Sequence, residues 1–148
     1  MRLSTKGRYG TRLMLNLAQH HGNGARAIIL RDISDEEGIS IRYLEQIIIP
    51  LKINRLVKSI RGAGGGYILG RDPSDIKLSE ILHALEGNLF LVECADDPNY
   101  CEKIDTCPTF EIWKGATEML KAYFDRITLK DIVAQAEKIK KKARAKVR

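Results

Sequence analysis

The feature that most constrains the fold is a glycine-rich segment, Arg61-Gly62-Ala63-Gly64-Gly65-Gly66, which lies between two short apolar runs at residues 56–60 and 67–69. Two such runs joined by glycines predict a β-hairpin. A nucleotide-binding glycine loop does not fit, because the dinucleotide fingerprint needs glycine where Tyr67 stands and a helix after it. No P-loop lysine is present either. The chain is therefore expected to form a hairpin here.

Apolar residues repeat with helical spacing before the hairpin. Tyr9, Leu13 and Leu17 are spaced i, i+4, i+8, which predicts a helix over residues 4–21. A brief helix over residues 31–37 should place Ile33 inward, and Gly38 then turns the chain. Two helices joined by a short glycine turn form a helix-turn-helix, and a hairpin directly after it is a wing.

The second helix of this pair has Ser40 as its predicted N-cap. Its apolar stripe is spaced i, i+3, i+4, i+7 and consists of Leu44, Ile47, Ile48 and Leu51. Pro50 lies within the stripe, removes a backbone donor and clashes with the preceding turn. We therefore expect a bend or break near residues 47–49.

The C-terminal half predicts three further helices and a loop. A helix from Leu78 should end at Gly87, a turn-rich loop should extend to about Pro108, and a helix over about residues 109–124 should present a wide apolar face. A last helix capped by Thr128 should fade into a Lys/Arg tail. The expected fold is mainly α with a small β-hairpin wing.

The expected domains follow from these elements. Residues 1–75 form a winged helix-turn-helix, residues 76–108 a linker helix and cysteine loop, and residues 109–137 a long C-terminal helix and a final helix. Residues 138–148 form a basic tail that we expect to be disordered, with a nonspecific DNA contact as the alternative.

Charge divides the chain in the same places. Residues 1–71 carry 12 Lys and Arg against 5 Asp and Glu, residues 72–137 carry 6 against 14, and residues 138–148 carry 7 against none. A basic first half indicates a polyanionic partner, since Lys and Arg release counterions from a phosphate backbone. We therefore expect double-stranded DNA as the partner. No apolar run is long enough to cross a membrane.

DNA-contact candidates lie on the second helix of the pair and on the wing. Arg42, Glu45 and Gln46 are spaced i, i+3, i+4 opposite the apolar stripe, and these side chains can contact guanine, cytosine and adenine. The alternative for Glu45 is that it is an ordinary surface carboxylate of the helix and does not contact a base. At the wing tip, glycines let the backbone approach a phosphate or the minor groove, and Arg61 adds charge.

The three cysteines of the chain, Cys94, Cys101 and Cys107, lie in one polar, turn-rich stretch. Three thiols cannot all pair as disulfides, and the chain starts with charged residues, so a reducing cytoplasm is expected. Thiolates prefer zinc, copper(I) or iron-sulfur clusters, so the triad predicts a soft-metal site. Three unrelated packed thiols are the alternative.

Three motifs resemble the bacterial winged-helix family that includes the iron-sulfur regulator IscR, the nitric-oxide sensor NsrR and the cysteine-metabolism repressor CymR. They are residues 1–9, residues 39–46 and the glycine-rich wing, and the resemblance extends to about Ala134. It implies a bacterial transcription regulator, often a repressor, that works at operator DNA in the nucleoid. It also implies a homodimer built on the long C-terminal helix around Trp113, with the first helix packing at the dimer core. The expected DNA-contact residues are Arg2, Ser40, Arg42, Tyr43, Glu45, Gln46, Arg61, Gly62, Gly64 and Gly65.

The resemblance also implies that the three cysteines bind a cluster, of the 2Fe-2S type with 4Fe-4S as the alternative. Members similar to IscR have a histidine three residues after the last cysteine, but Phe110 stands there and cannot bind iron. Other members take a carboxylate or histidine ligand from the first helix of the partner subunit, and in the equivalent stretch this chain has Arg8 and Arg12. The remaining candidates for a fourth ligand are an exogenous thiol, no ligand at all, or one of Asp96, Asp97, Glu102, Asp105, Glu111 and His83.

The leading hypothesis is a dimeric regulator whose cluster occupancy changes DNA binding. The alternative is a repressor of the same fold whose cysteines bind zinc or sense thiol redox state. An enzyme is not expected, because the sequence has no nucleophile with a base, no metal-histidine motif and no cofactor fingerprint.

Overall fold

A computed structural model describes residues 3–21, 24, 26–97 and 99–146 of the chain. Its elements follow the predicted order and confirm a mainly helical fold with one antiparallel hairpin. The helices and strands are α1 (Thr5–His21), α2 (Leu30–Glu37), α3 (Ile41–Ile53), β1 (Val57–Ile60), β2 (Gly66–Leu69), α4 (Leu78–Glu86), α5 (Phe110–Asp125) and α6 (Leu129–Lys146). Short 3-10 turns lie at Pro73–Asp75, Glu93–Ala95 and Ile104–Thr106.

The hydrophobic core lies between α1, α2, α3, α4 and the hairpin. Fully buried side chains come from every one of these helices, and they include Leu13, Met14, Ile33, Leu44, Ile47, Leu51, Ile81 and Leu82. Burying a side chain of this size is worth about 1.5–3 kcal/mol. From the C-terminal helices, Leu129 at the start of α6 joins this cluster. The predicted apolar stripes of α1 and α3 therefore do face the core.

The hairpin is joined to the helical core by a third short segment. Val57 pairs with Leu69 and Ile60 with Gly66 in antiparallel register. Ile28 then adds to the outer edge, since its amide donates to the Tyr67 carbonyl at 2.9 Å and its carbonyl accepts the Tyr67 amide at 2.8 Å. A side chain at Gly66, whose φ is 145°, would collide with the Ile28 carbonyl. Glycine at the base of the wing is thus required for this pairing.

The N-terminus of α1 is held by a carboxylate from α4. Ser4 caps the helix, because its hydroxyl accepts the Gly7 amide at 3.2 Å. Glu86 Oε1 also accepts the amides of Ser4 at 3.1 Å and Gly7 at 3.0 Å, and the Ser4 hydroxyl donates to it at 2.5 Å. A carboxylate at a helix N-terminus satisfies free amides and complements the helix dipole. The last residue of α4 therefore fixes the start of α1.

The sequence predicted a bend or a break near residues 47–49, and helix α3 passes through Pro50 without interruption, so the chain does not break there. The neighbouring Ile47, Ile48 and Leu51 are all buried, and their packing holds this turn in helical conformation. The Pro50 carbonyl is used as well, since it accepts the backbone amide of Asn54 at 3.1 Å and its side-chain amide at 2.9 Å. Tertiary packing and this C-terminal cap outweigh the local cost of the proline.

Helix α6 continues to Lys146, whereas disorder was expected from residue 138 onward. Residues 137–146 are exposed, and the segment has the sequence EKIKKKARAK, which contains strong helix formers and no Gly or Pro. Thr128 caps the start of the helix, because its hydroxyl accepts the Asp131 amide at 3.2 Å. Asp131 in turn accepts the Thr128 amide at 2.9 Å. Helical propensity and a secure start explain why the segment is ordered.

Candidate functional site

Helix α3 presents a polar face opposite its core stripe. The Ser40 hydroxyl accepts the Tyr43 amide at 3.3 Å, so Ser40 caps α3 as predicted. Arg42, Glu45 and Gln46 are all exposed. We call these three residues the base-contact face. Helix α3 has the position and exposure that the second helix of a helix-turn-helix needs to enter the major groove.

Tyr43 is less exposed than the residues beside it. Its ring is half-buried and meets the Tyr9 ring edge-on, with centroids 5.8 Å apart and planes at 87°. The Arg12 guanidinium lies 5.6 Å from the centroid of the same Tyr9 ring. Aromatic edge contacts of this kind are worth about 0.5–1.5 kcal/mol beyond buried area. In the structure Tyr43 therefore joins the N-terminal turn of α3 to α1.

The wing tip has the backbone geometry that its glycines allow. Gly62 and Gly64 have backbone φ angles of 91° and 74°, which residues other than glycine rarely adopt. Gly65 donates to the Gly62 carbonyl at 2.9 Å, and a Cβ on Gly65 would approach the Ile60 carbonyl to 2.5 Å. Arg61 is exposed beside this turn. The tip is a compact loop that presents backbone and one guanidinium outward; Arg2 lies outside the described residues.

The three cysteines occupy the cysteine loop, residues 88–109, between α4 and α5. Cys94 lies in the turn Glu93–Ala95, and Cys107 ends the turn Ile104–Thr106. Each of the three thiols is free and half-buried. Across residues 3–21, 24, 26–97 and 99–146, no three side chains of His, Cys, Asp or Glu are grouped closely enough to hold a metal ion. The loop as described therefore does not bring its thiols into one site.

Cys107 has a partner that the sequence analysis missed. The Thr109 hydroxyl lies 3.3 Å from Cys107 Sγ. This hydrogen bond and the Thr109 backbone amide lower the pKa of the Cys107 thiol below its ordinary value. A hydroxyl two residues after a cysteine, at a helix start, was the available sequence signal. The lowered pKa favours the Cys107 thiolate, which is the form that metals bind.

The donors of the loop fit a thiolate-bound cluster in kind, although not in arrangement. Three free thiols are the ligands that iron-sulfur clusters use. Phe110, the first residue of α5, offers no donor atom, and its ring lies 6.0 Å from Lys114 Nζ. The carboxylates near the cysteines are exposed, as is His83 on α4. A cluster would therefore require the loop to gather three thiolates.

Helix α5 carries an apolar face that the described part of the chain leaves open. Thr117 is its buried residue. The Trp113 side chain is 41% exposed. Ile112 is 60% exposed, Met119 75% and Tyr123 61%. An exposed apolar stripe on one helix is typical of a protein-protein interface. Within the described residues, no helix is both long and apolar enough to cross a membrane.

Comparison with known proteins gives a consistent result over most of the chain. The model of the Rrf2 family, described as "Iron-dependent Transcriptional regulator", matches residues 3–135. The HTH-type transcriptional regulator IscR of Klebsiella pneumoniae is 39% identical over 137 residues, which cover 93% of this chain and 82% of that protein. IscR of Photorhabdus laumondii is 37% identical over the same shares of both chains.

Solved structures agree with the sequence relatives. CymR, the global cysteine regulator of B. subtilis, superposes with a TM-score of 0.75 at 38% identity, covering 91% of this chain and 98% of its own. T. potens IscR gives a TM-score of 0.74 at 38% identity, covering 94% and 90%. The predicted resemblance and the winged-helix fold are confirmed. The relatives are named as regulators of transcription, as expected for a chain that is not an enzyme.

Proposed function

Because the chain belongs to the Rrf2 family of transcriptional regulators, we propose that it is a homodimeric, operator-binding regulator with an iron-sulfur cluster on Cys94, Cys101 and Cys107. The observation that carries the proposal is the position of these three free thiols. They lie in the segment that joins α4, which packs on the DNA-binding core, to α5 with its open apolar face. We place this regulator in the bacterial cytoplasm, where thiols stay reduced.

The DNA contacts are assigned to α3 and the wing. Arg42, Glu45 and Gln46 would meet base edges in the major groove, as their exposure and spacing allow. Arg61 and the exposed glycines of the wing would meet phosphate or the minor groove. Ser40 supports these contacts by capping α3, and Tyr43 by packing on Tyr9.

The dimer is assigned to α5. A second copy of the chain is the partner whose own apolar stripe would match that of Trp113 and Met119. Such a pairing would set the distance between the two α3 helices, which must match the spacing of two DNA half-sites.

The sensing role is assigned to the cysteine loop. A bound cluster would supply redox chemistry and an iron with an incomplete protein ligand set, open to oxygen, nitric oxide or a thiol. The thiols lie apart in the described structure, so gathering them requires the loop to change conformation. It connects α4, whose last residue Glu86 holds the start of α1, to Phe110, which begins α5. A change in the loop would therefore alter how the DNA-binding core sits on the dimer helix.

The cluster type is proposed as 2Fe-2S, with 4Fe-4S as the alternative. Anaerobic purification followed by iron and sulfide assay and an absorption spectrum tests both. We expect a coloured protein that contains iron and sulfide in equal amounts. The Cys101→Ala variant should lose the iron, the sulfide and the colour. Thr106→Val, a loop variant that leaves every thiol in place, should keep its iron.

The same preparation tests DNA binding and the dimer. Fluorescence anisotropy with the operator at two salt concentrations should show weaker binding at higher salt, and Arg61→Gln should reduce that dependence. Light scattering should give twice the chain mass. Unchanged iron content and DNA affinity in Cys101→Ala would contradict the sensing proposal.

A second candidate function rests on Phe110 and on the lowered pKa of Cys107. Without a fourth protein ligand, the loop could serve as a thiol redox sensor or a zinc site in a repressor of the same fold. A colourless protein with one zinc per chain, or DNA binding that changes with oxidant in the absence of iron, would favour this candidate.

A further inference from the structure

The base-contact face of α3 continues into an apolar residue that the assigned DNA contacts do not use. Ile49 lies three residues after Gln46 and four after Glu45, so it stands on the same side of the helix. Its side chain is 58% exposed. The opposite side of α3 is occupied by buried Leu44, Ile47 and Leu51. Ile49 therefore faces wherever Glu45 and Gln46 face.

The exposure of Ile49 is not explained by packing within the chain. Helix α3 packs mainly against α1, α2, α4 and β1 in the described structure, and α5 with its apolar stripe is not among these partners. A lone exposed isoleucine on a protein surface needs no explanation. The position of this one, in line with the residues assigned to base edges, is what points to a ligand.

The chemistry of the isoleucine side chain indicates which group of a base pair it would contact in the major groove. Its side chain has no donor or acceptor, so among the groups that base pairs present there it matches only the C5-methyl of thymine. Along the helix axis Ile49 lies about 4.5 Å beyond Gln46. That is close to the rise of about 3.4 Å between successive base pairs. Ile49 would thus reach the pair next to the one that Gln46 contacts.

We propose that Ile49 makes the chain specific for a thymine next to the base pair contacted by Gln46, through apolar contact with the thymine methyl. This inference rests on the proposed operator binding and adds a specificity-determining residue to it. The contact removes one methyl-sized group from water on each side and adds no hydrogen bond.

The test begins with an operator selected from a random duplex library by the full-length protein. Each thymine of that operator is then replaced singly by uracil, which removes the methyl and keeps the base pair. Affinities are measured by fluorescence anisotropy for the wild type and for Ile49→Ala. The matched control is Ile139→Ala, which changes an isoleucine of similar exposure, 59%, on α6. Circular dichroism checks that each variant is folded.

We expect the wild type to lose about fourfold in affinity at one thymine, the factor that one buried methylene is worth. Ile49→Ala should bind the thymine and uracil operators equally at that position, while Ile139→Ala should discriminate as the wild type does.

Two results would overturn the inference while leaving operator binding intact. One is a wild type that binds the selected operator yet tolerates uracil at every thymine. The other is an Ile49→Ala variant that keeps the full thymine preference. A protein that selects no sequence from the library would overturn the proposed function and this inference with it.

Discussion

The DNA-binding core and the cysteine loop are held in shape by different kinds of interaction. Leu44, Ile47 and Leu51 of α3 are fully buried, whereas none of the described residues in 88–97 and 99–109 is buried. Most hydrogen bonds of the loop span only a few residues, such as Cys107 with Thr109, and the Leu91 amide, which donates to the Thr117 hydroxyl of α5 at 3.4 Å, is an exception. Regions with few buried contacts open locally at low cost. The difference suits the proposed regulator, in which the DNA contacts would stay fixed while the cysteine loop changes conformation.

The largest expected effect comes from truncating equal side chains in the two regions. Ile47→Ala should lower the free energy of unfolding by about 2–5 kcal/mol, because it leaves a cavity in the core. Ile104→Ala, at a half-buried position of the loop, should cost less than about 1 kcal/mol. Urea unfolding followed by circular dichroism measures both. Equal losses would show that the loop is as firmly packed as the core.

Two helical glycines give the next test. A Cβ on Gly10 would lie 2.1 Å from Leu85 Cδ1, so Gly10→Ala should destabilise the protein by about 1–3 kcal/mol through overpacking. Gly115 on α5 has open space around it within the chain, so Gly115→Ala should raise the stability of the dissociated chain by about 0.5–1 kcal/mol through helix propensity. Thermal unfolding of the two variants should therefore shift in opposite directions. A stabilising Gly10→Ala would contradict the tight contact between α1 and α4.

Glu86 ends α4 just before the cysteine loop and links α4 to α1, and its charge should matter moderately. Glu86→Gln keeps the shape of the side chain but weakens the hydrogen bonds from Ser4 and Gly7. We therefore expect the free energy of unfolding to fall by about 1 kcal/mol. Glu118→Gln is the control, since Glu118 is exposed on α5 and makes no side-chain hydrogen bond within the described residues. If the two variants unfold at the same urea concentration, Glu86 does not secure the start of α1.

The smallest effect concerns the loop alone. Thr109→Val removes the hydroxyl that favours the Cys107 thiolate, so the pKa of Cys107 should rise and its alkylation should require a higher pH. Mass spectrometry of iodoacetamide-treated apoprotein across a pH series measures the midpoint for Cys107. Thr106→Val is matched, because the Thr106 hydroxyl donates instead to the Lys103 carbonyl. A midpoint that moves downward in Thr109→Val would refute the hydrogen bond.

Much of the fold could be predicted because its signals are local. Apolar periodicity located α1, α3 and α4, Ser40 and Thr128 were recognised as caps, and the glycine run located the wing. At Pro50 the cost of the proline predicted a bend or break, but buried packing and a C-terminal cap, which depend on the fold, keep the helix unbroken. In the basic tail, clustered charge was given more weight than the helical propensity of the same residues, and α6 continues to Lys146.

The candidate site was predictable to a lesser extent. Residue type and spacing identified Arg42, Glu45, Gln46 and the three cysteines, because each of these residues carries its chemistry in its own side chain. Thr109 and Ile49 were missed, because their proposed roles depend on neighbouring residues. Thr109 acts on the Cys107 thiol, and Ile49 lies on the same face of α3 as Glu45 and Gln46. The arrangement of the thiols could not be inferred from spacing, because a loop whose described residues are all at least partly exposed does not have one geometry imposed by its sequence pattern.

The sequence by itself determined the order of the elements, the sides of the helices that are buried and the donor atoms that the loop offers. These properties follow from periodicity, capping and side-chain chemistry, which act over a few residues. Only the tertiary structure decided that Glu86 holds the start of α1, that Tyr43 packs on Tyr9 and that Ile49 stands free on the base-contact face. Each of these depends on contacts between residues distant in the chain, or on the absence of such contacts among the described residues, and only the packed chain establishes either.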